Sequence, residues 1–94
     1  MRIDRFLYFI RLVKSRTLAQ ALIASGHVRL NGRRVEKPSE EVGVGSIIAL
    51  PIRKKAMILE VLRVPARRGP AAEAQSCYDE LGPKQAIDEK SSAS

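Results

Sequence analysis

Lys14-Ser15-Arg16, Arg29, Arg33 and Lys37 place cations where this short chain must turn, and cations held at fixed corners can contact phosphate. The Ser15 hydroxyl can cap the first-turn amides of a helix, and those amides add partial positive charge at Ser15-Arg16. Arg29 and Arg33 flank the dipeptide Asn31-Gly32, and Lys37 follows shortly after. Arg2 and Arg5 precede Lys14 and Arg16 and join the same cluster if the first two helices meet. A run of charge is often only a solvated face. Here the cations recur at structurally fixed corners, which favours phosphate contact for Arg16 and Arg29 and leaves Arg53-Lys54-Lys55 open.

Bond-making chemistry finds little support. The sequence has no glycine-rich phosphate loop and no serine in a nucleophile-elbow context. Cys77 and His27 are each the only residue of their kind, so neither an internal disulfide nor a Cys/His zinc site is expected. His27 follows a helix-ending glycine, which suits hydrogen bonding or a phosphate-facing role better than catalysis. Asp4 is a carboxylate among arginines, and an ion pair fixing the first helix is the favoured role for it. No cofactor is expected.

The elements that must position these groups follow from spacing. Ile3, Phe6, Leu7 and Ile10 fall at i, i+3, i+4 and i+7, predicting a helix from about Ile3 to Leu12 with Arg2, Arg5 and Arg11 off its apolar stripe. Phe9 is expected in the core, and Tyr8 fits either side. A second helix starts at the Ser15 cap, has an apolar face of Leu18, Ala21 and Leu22 widened by Ala19 and Ile23, and ends at Gly26. The link between the two is short, so they pack as a hairpin or corner.

Val28 and Leu30 alternate with Arg29, and Asn31-Gly32 suits a type I′ hairpin whose return is Arg33 to Val35. Lys37-Pro38-Ser39 interrupts that ladder. Later strands are expected from Ser46 to Leu50, ended by Pro51, and from Ala56 to Val64, with Met57, Leu59 and Val61 on one face. Sequential short strands favour an antiparallel sheet. After Arg67-Arg68-Gly69 a helix is expected to open at Pro70, carry Ala71, Ala74, Cys77, Tyr78 and Leu81 on one stripe, and stop at Gly82-Pro83.

Ninety-four residues make one domain with a modest core. The net charge is +7. Residues 1–68 hold fifteen of the seventeen Lys and Arg but five of the ten Asp and Glu, which points to a polyanionic partner for the body of the chain. With two Tyr, two Phe and no Trp, base stacking is less expected than recognition of folded RNA by shape and backbone. The apolar run Phe6 to Ile10 is broken by Arg11 and is too short for a signal-peptide core or a membrane span, so a cytoplasmic protein without a membrane partner is expected.

Arg2-Ile3-Asp4-Arg5-Phe6-Leu7, Lys14-Ser15-Arg16, Ala19, Ile23, Gly26-His27-Val28, Asn31-Gly32, Lys37-Pro38-Ser39 and Val42 together resemble the S4-type RNA-binding domain. That pattern runs R-L-D-x-x-L, S-R, A and I, then G-x-V-x-V-N-G, and it covers roughly residues 2–50. Arg67-Arg68, Pro70-Ala71, Glu73-Ala74 and Tyr78-Asp79-Glu80 extend the likeness to the ribosome-associated heat-shock protein 15 family. Its members typically carry tryptophans in helix one, where this chain has Phe6 to Phe9.

The resemblance implies an α+β, S4-type (alpha-L) fold, a two-helix corner on a small mainly antiparallel sheet with a short C-terminal helix. The S4-type domain would span 1–66, a helical extension 67–82, and a disordered tail 83–94. The implied function is non-enzymatic binding of ribosomal RNA on free large ribosomal subunits carrying a blocked nascent chain on tRNA, aiding their recycling. Arg2, Arg5, Lys14, Ser15, Arg16, Gln20, His27, Arg29, Asn31, Gly32, Arg33 and Lys37 are the expected RNA surface, with Asn31 and Gly32 acting through turn geometry. A monomer is expected. The alternatives are a tRNA-binding or translation-regulating module, an accessory domain of an RNA-modifying enzyme, and a protein-interaction module with incidental charge.

Overall fold

A computed structural model describes residues 1–81, so Gly82-Pro83 and the tail expected to be disordered lie outside the described residues. Helix α1 spans Ile3–Phe9, α2 Arg16–Ala24 and α3 Ala71–Gln75. The strands are β1 Arg29–Leu30, β2 Arg33–Arg34, β3 Ile47–Ile52, β4 Lys55–Val61 and β5 Tyr78–Glu80. They form one antiparallel sheet in the order β2-β1-β3-β4-β5. This is an α+β fold, as expected.

The apolar stripe of α1 is buried in full and meets Ala19 and Ile23 of α2. Val28, Leu30, Ile48, Leu50, Leu59 and Val61 supply the sheet side of the same core. Phe9 is only half-buried, whereas the sequence placed it in the core. Leu18 and Ala21 are exposed and Leu22 is half-buried, so the buried face of α2 is centred on Ala19 and Ile23 and not on the three residues expected.

The first helix stops at Phe9 instead of running to Leu12. Arg11 adopts a left-handed conformation (φ 67°), its N–H donating to the Tyr8 carbonyl (3.1 Å) and that of Leu12 to Leu7 (3.2 Å). This pairing closes a helix C-terminus in the way glycine usually permits. At the end of α2 the equivalent residue is Gly26 (φ 84°), the stop its sequence position indicates.

The N-terminus of α1 is closed by distant backbone. Ile3 N–H donates to the Glu40 carbonyl (2.8 Å), Asp4 N–H to Pro38 (3.3 Å) and Arg5 N–H to the Asp4 carboxylate (2.8 Å). The segment that breaks the β2 ladder at Pro38 therefore satisfies the donors that every helix leaves open.

Asn31 and Gly32 form the expected turn with positive φ at both positions, 53° and 85°. Asn31 does more than turn. Its N–H donates to the Ile47 carbonyl (2.7 Å) and its Oδ1 accepts from Ile47 N–H (2.8 Å), lengthening the short β1–β3 ladder.

Strand β3 runs through Pro51 to Ile52. Ile47 bonds toward β1, so by alternation the backbone of Ala49 and Pro51 faces that side too. The β1 ladder ends at Ala49, so no neighbouring strand needs an N–H from residue 51. Strand β4 ends at Val61, short of the expected Val64.

Pro70 is the N-cap of α3, which ends at Gln75. Residues Tyr78 to Glu80, expected to continue that helix, instead pair with Leu59 to Val61 of β4. The open edge of β4 takes them as a fifth strand, and Leu62 N–H to the Cys77 carbonyl and Leu81 N–H to the Ile58 carbonyl bond the two ends of the pairing. Cys77 is buried just beyond the helix, not on its face.

Candidate nucleic-acid interface

Asp4 organises the cationic corner. Its side chain is fully inaccessible to solvent and binds Arg2 through two hydrogen bonds, Nε to Oδ1 and Nη2 to Oδ2, both 3.1 Å. Gln20 Nε2 donates to Oδ2 at 3.0 Å, and Arg16 Nη2 lies 3.4 Å from the same atom. Residues from before α1, from α1 itself and from two successive turns of α2 thus share one carboxylate. Burial works to raise the Asp4 pKa, but the bonds from Gln20 and Arg2, the Arg2 charge and the Arg5 N–H outweigh it and hold the carboxyl below its ordinary value.

One buried negative charge faces two guanidinium groups that stay 41% and 42% exposed, so the corner keeps an excess of positive charge at its surface. Arginine's fork allows this division, with part of each guanidinium on Asp4 and the remaining donors facing water. The ion pair expected for Asp4 is present, and Gln20 is an additional partner.

Ser15 caps α2 as expected, accepting from Leu18 N–H at 3.1 Å. Lys14 and Arg16 are exposed on either side of it. Arg5 leaves the Asp4 cluster and lies over the Phe9 ring, its guanidinium carbon 5.6 Å from the centroid.

On the hairpin, Arg29 is exposed and makes no ion pair among the described residues, while Arg33 pairs with Glu40 at 2.9 Å. The Arg33 bond, followed by the Glu36 backbone N–H, lowers the Glu40 pKa, and the same bond raises that of Arg33. Lys37 is exposed beside this pair in the chain. His27 is exposed, with Nδ1 2.9 Å from Ser25 Oγ. Because the Ser25 hydroxyl proton goes to the Leu22 carbonyl, we assign the donated proton to His27 Nδ1, which leaves Nε2 facing outward.

A further cation, Arg68, folds back onto α1 from far along the chain, and Arg11 reaches from the end of α1 to the same distant segment. Arg68 Nε donates to the Tyr8 carbonyl (3.0 Å) with its guanidinium 4.7 Å from the Tyr8 ring centre, and Arg11 Nε donates to the Gly69 carbonyl (2.7 Å). The separation of about sixty positions leaves no local signal for these contacts. No group of three or more His, Cys, Asp or Glu capable of holding a metal occurs among the described residues. No helix among them is long and apolar enough to cross a membrane.

The fold recurs in known proteins. A solved trimeric structure of Vibrio cholerae heat shock protein 15 superposes with a TM-score of 0.83 at 31% identity, covering 99% of this chain and 92% of that one. The solution structure of hypothetical protein HP1423 matches with a TM-score of 0.73 at 35% identity, covering 87% and 98%. A heat shock protein 15 homolog from Haemophilus influenzae is 34% identical over 85% of this chain and 60% of its own length. The small ribosomal subunit protein uS4 of Limosilactobacillus fermentum is 39% identical over 66% of this chain, a match spanning 30% of that protein. Residues 1–48, which hold the Asp4 cluster, the Ser15 cap and the Asn31-Gly32 turn, match the S4 domain pattern. On that match and on the whole-chain likeness in shape, the chain belongs to the S4 domain family, as an S4-type protein resembling heat shock protein 15.

Proposed function

We propose that this chain is a non-enzymatic RNA-binding protein that holds structured ribosomal RNA against α1, α2 and the β1–β2 hairpin. The observation that carries the reading is the Asp4 cluster: a buried carboxylate fixes Arg2 and Arg16, and both keep exposed donors. Fixed guanidinium forks bind phosphate with little further ordering cost, which is what recognition of a folded RNA backbone requires. Lys14, Arg29 and Lys37 supply further exposed donors, Arg5 and Arg33 do so from their own contacts, and His27 presents its outward Nε2. Ser15, Gln20, Asn31 and Gly32 act by holding the geometry.

The particle that fits this reading is the free large ribosomal subunit carrying a blocked nascent chain on tRNA, and the action is to aid its recycling in the cytoplasm. Likeness to heat shock protein 15 supports that choice. Binding requires one copy in this reading, and a light-scattering mass checks it against the trimer of the Vibrio cholerae relative.

Sedimentation of lysate from cells expressing the tagged protein tests the assignment. Co-migration with free large subunits is the expected result. Migration with small subunits would reject the particle, migration with tRNA-sized material would favour the translation-regulating alternative, and absence from every RNA fraction would reject RNA binding.

A further inference from the structure

A cleft of about 250 Å³ opens between the end of α1, the β3–β4 hairpin and α3, away from the Asp4 cluster in its lining. Leu12, Ile52, Met57 and Tyr78 give it apolar walls, Arg11 and Arg53 line it as cations, and no carboxylate does. Both arginines have left-handed backbone, φ 67° and 52°. Such a conformation costs roughly 1 kcal/mol or more for a residue with a Cβ. Elsewhere this chain gives it to Gly26, Asn31, Gly32 and Gly45, and to Lys54 next to Arg53 in the same turn. Neither arginine makes an ion pair among the described residues, and Arg11 is tethered only through Nε, to the Gly69 carbonyl. Strained cations kept at the wall of a cleft are a reason to look there for a use beyond folding.

We propose that this cleft binds one unstacked nucleotide of the RNA, its base against Leu12, Ile52, Met57 and Tyr78 and its phosphate on Arg11 and Arg53. A cleft of about 250 Å³ has room for one base, with the sugar and phosphate at its rim beside the arginines. Apolar and aromatic walls hold a base without reading its edge, while the arginines take the charge. The inference rests on the RNA-binding reading above and adds a second contact, for single-stranded RNA beside the folded element.

The experiment compares a blunt RNA hairpin with the same hairpin carrying a short single-stranded overhang, using the full chain labelled at its methionine methyl groups. The chain has two methionines, so Met57 reports the cleft and Met1 serves as reference. The overhang should tighten binding about tenfold, the scale of one stacked base, and should shift the Met57 signal, which the blunt hairpin leaves in place. A double change, Arg53→Asn with Lys54→Gly, gives the hairpin a preferred type I′ sequence and removes one of the two cations, so the overhang advantage should shrink severalfold in a folded protein. Equal affinity for both RNAs with an unmoved Met57 signal, or an advantage undiminished by the double change, would overturn the cleft while leaving RNA binding intact. Failure to bind either hairpin would overturn both.

Discussion

At Asn31-Gly32 and at Arg53-Lys54 the chain reverses in two residues, each with positive φ: 53° and 85° in the first turn, 52° and 68° in the second. The first turn uses residues that tolerate this backbone, and the second uses two cations that do not. The two helix ends repeat the contrast, with Gly26 left-handed after α2 and Arg11 left-handed after α1. Around β1 and β2, backbone needs and residue types agree, and positive charge is organised separately by the buried Asp4. At the cleft the cations themselves occupy the strained positions. A stable scaffold and a charged surface can therefore be built either side by side or in the same residues, and the second way costs stability.

The largest expected effect comes from Asp4. Asp4→Ala leaves Arg2, Gln20 and the Arg5 N–H without their shared acceptor and two cations facing each other, and should cost about 3 kcal/mol in urea unfolding. A loss below about 1 kcal/mol would mean that the cluster does not organise this corner. Acid sharpens the point. The folded carboxyl lies below its ordinary value near 3.8, so its stabilisation is complete above that value and is lost as pH falls through the lowered one. The Tm of the unaltered protein should fall more steeply in that window than that of Asp4→Asn.

Opposite signs are expected at the two kinds of left-handed position. Gly26→Ala should destabilise by about 1–2 kcal/mol, since a Cβ there is strained and meets Arg34 Nη1 at 3.4 Å. Arg53→Asn with Lys54→Gly should stabilise by about 1 kcal/mol, read as a raised Tm. If that double change destabilises, the strain assigned to the second hairpin is absent and the contrast fails.

The parts of the fold legible in the sequence are those set by neighbours in the chain. The α1 stripe, the Ser15 cap, Gly26 and the Asn31-Gly32 turn each follow from a few adjacent residues, and each stands where its spacing places it. The misread parts depend on distant partners. Nothing near Arg11 signals a helix end, because its left-handed backbone carries no glycine and its side chain is tied to Gly69. Tyr78 to Glu80 keep a helical apolar spacing, yet pairing with β4 decides their conformation. Pro51 reads as a strand end until the reach of β1 is known. At the site, a role for Asp4 among arginines is visible in composition, but its bond to Gln20 depends on how α1 meets α2.

Central to the proposed function is Arg16, a phosphate-binding side chain held in place by Asp4. RNA affinity measured across a salt series, for the unaltered protein and for Arg16→Ala, tests it. Affinity should fall steeply with salt in the unaltered protein, and Arg16→Ala should weaken binding and reduce the logarithmic slope by about one. An Arg16→Ala protein that folds and binds RNA with unchanged affinity and slope would contradict the account.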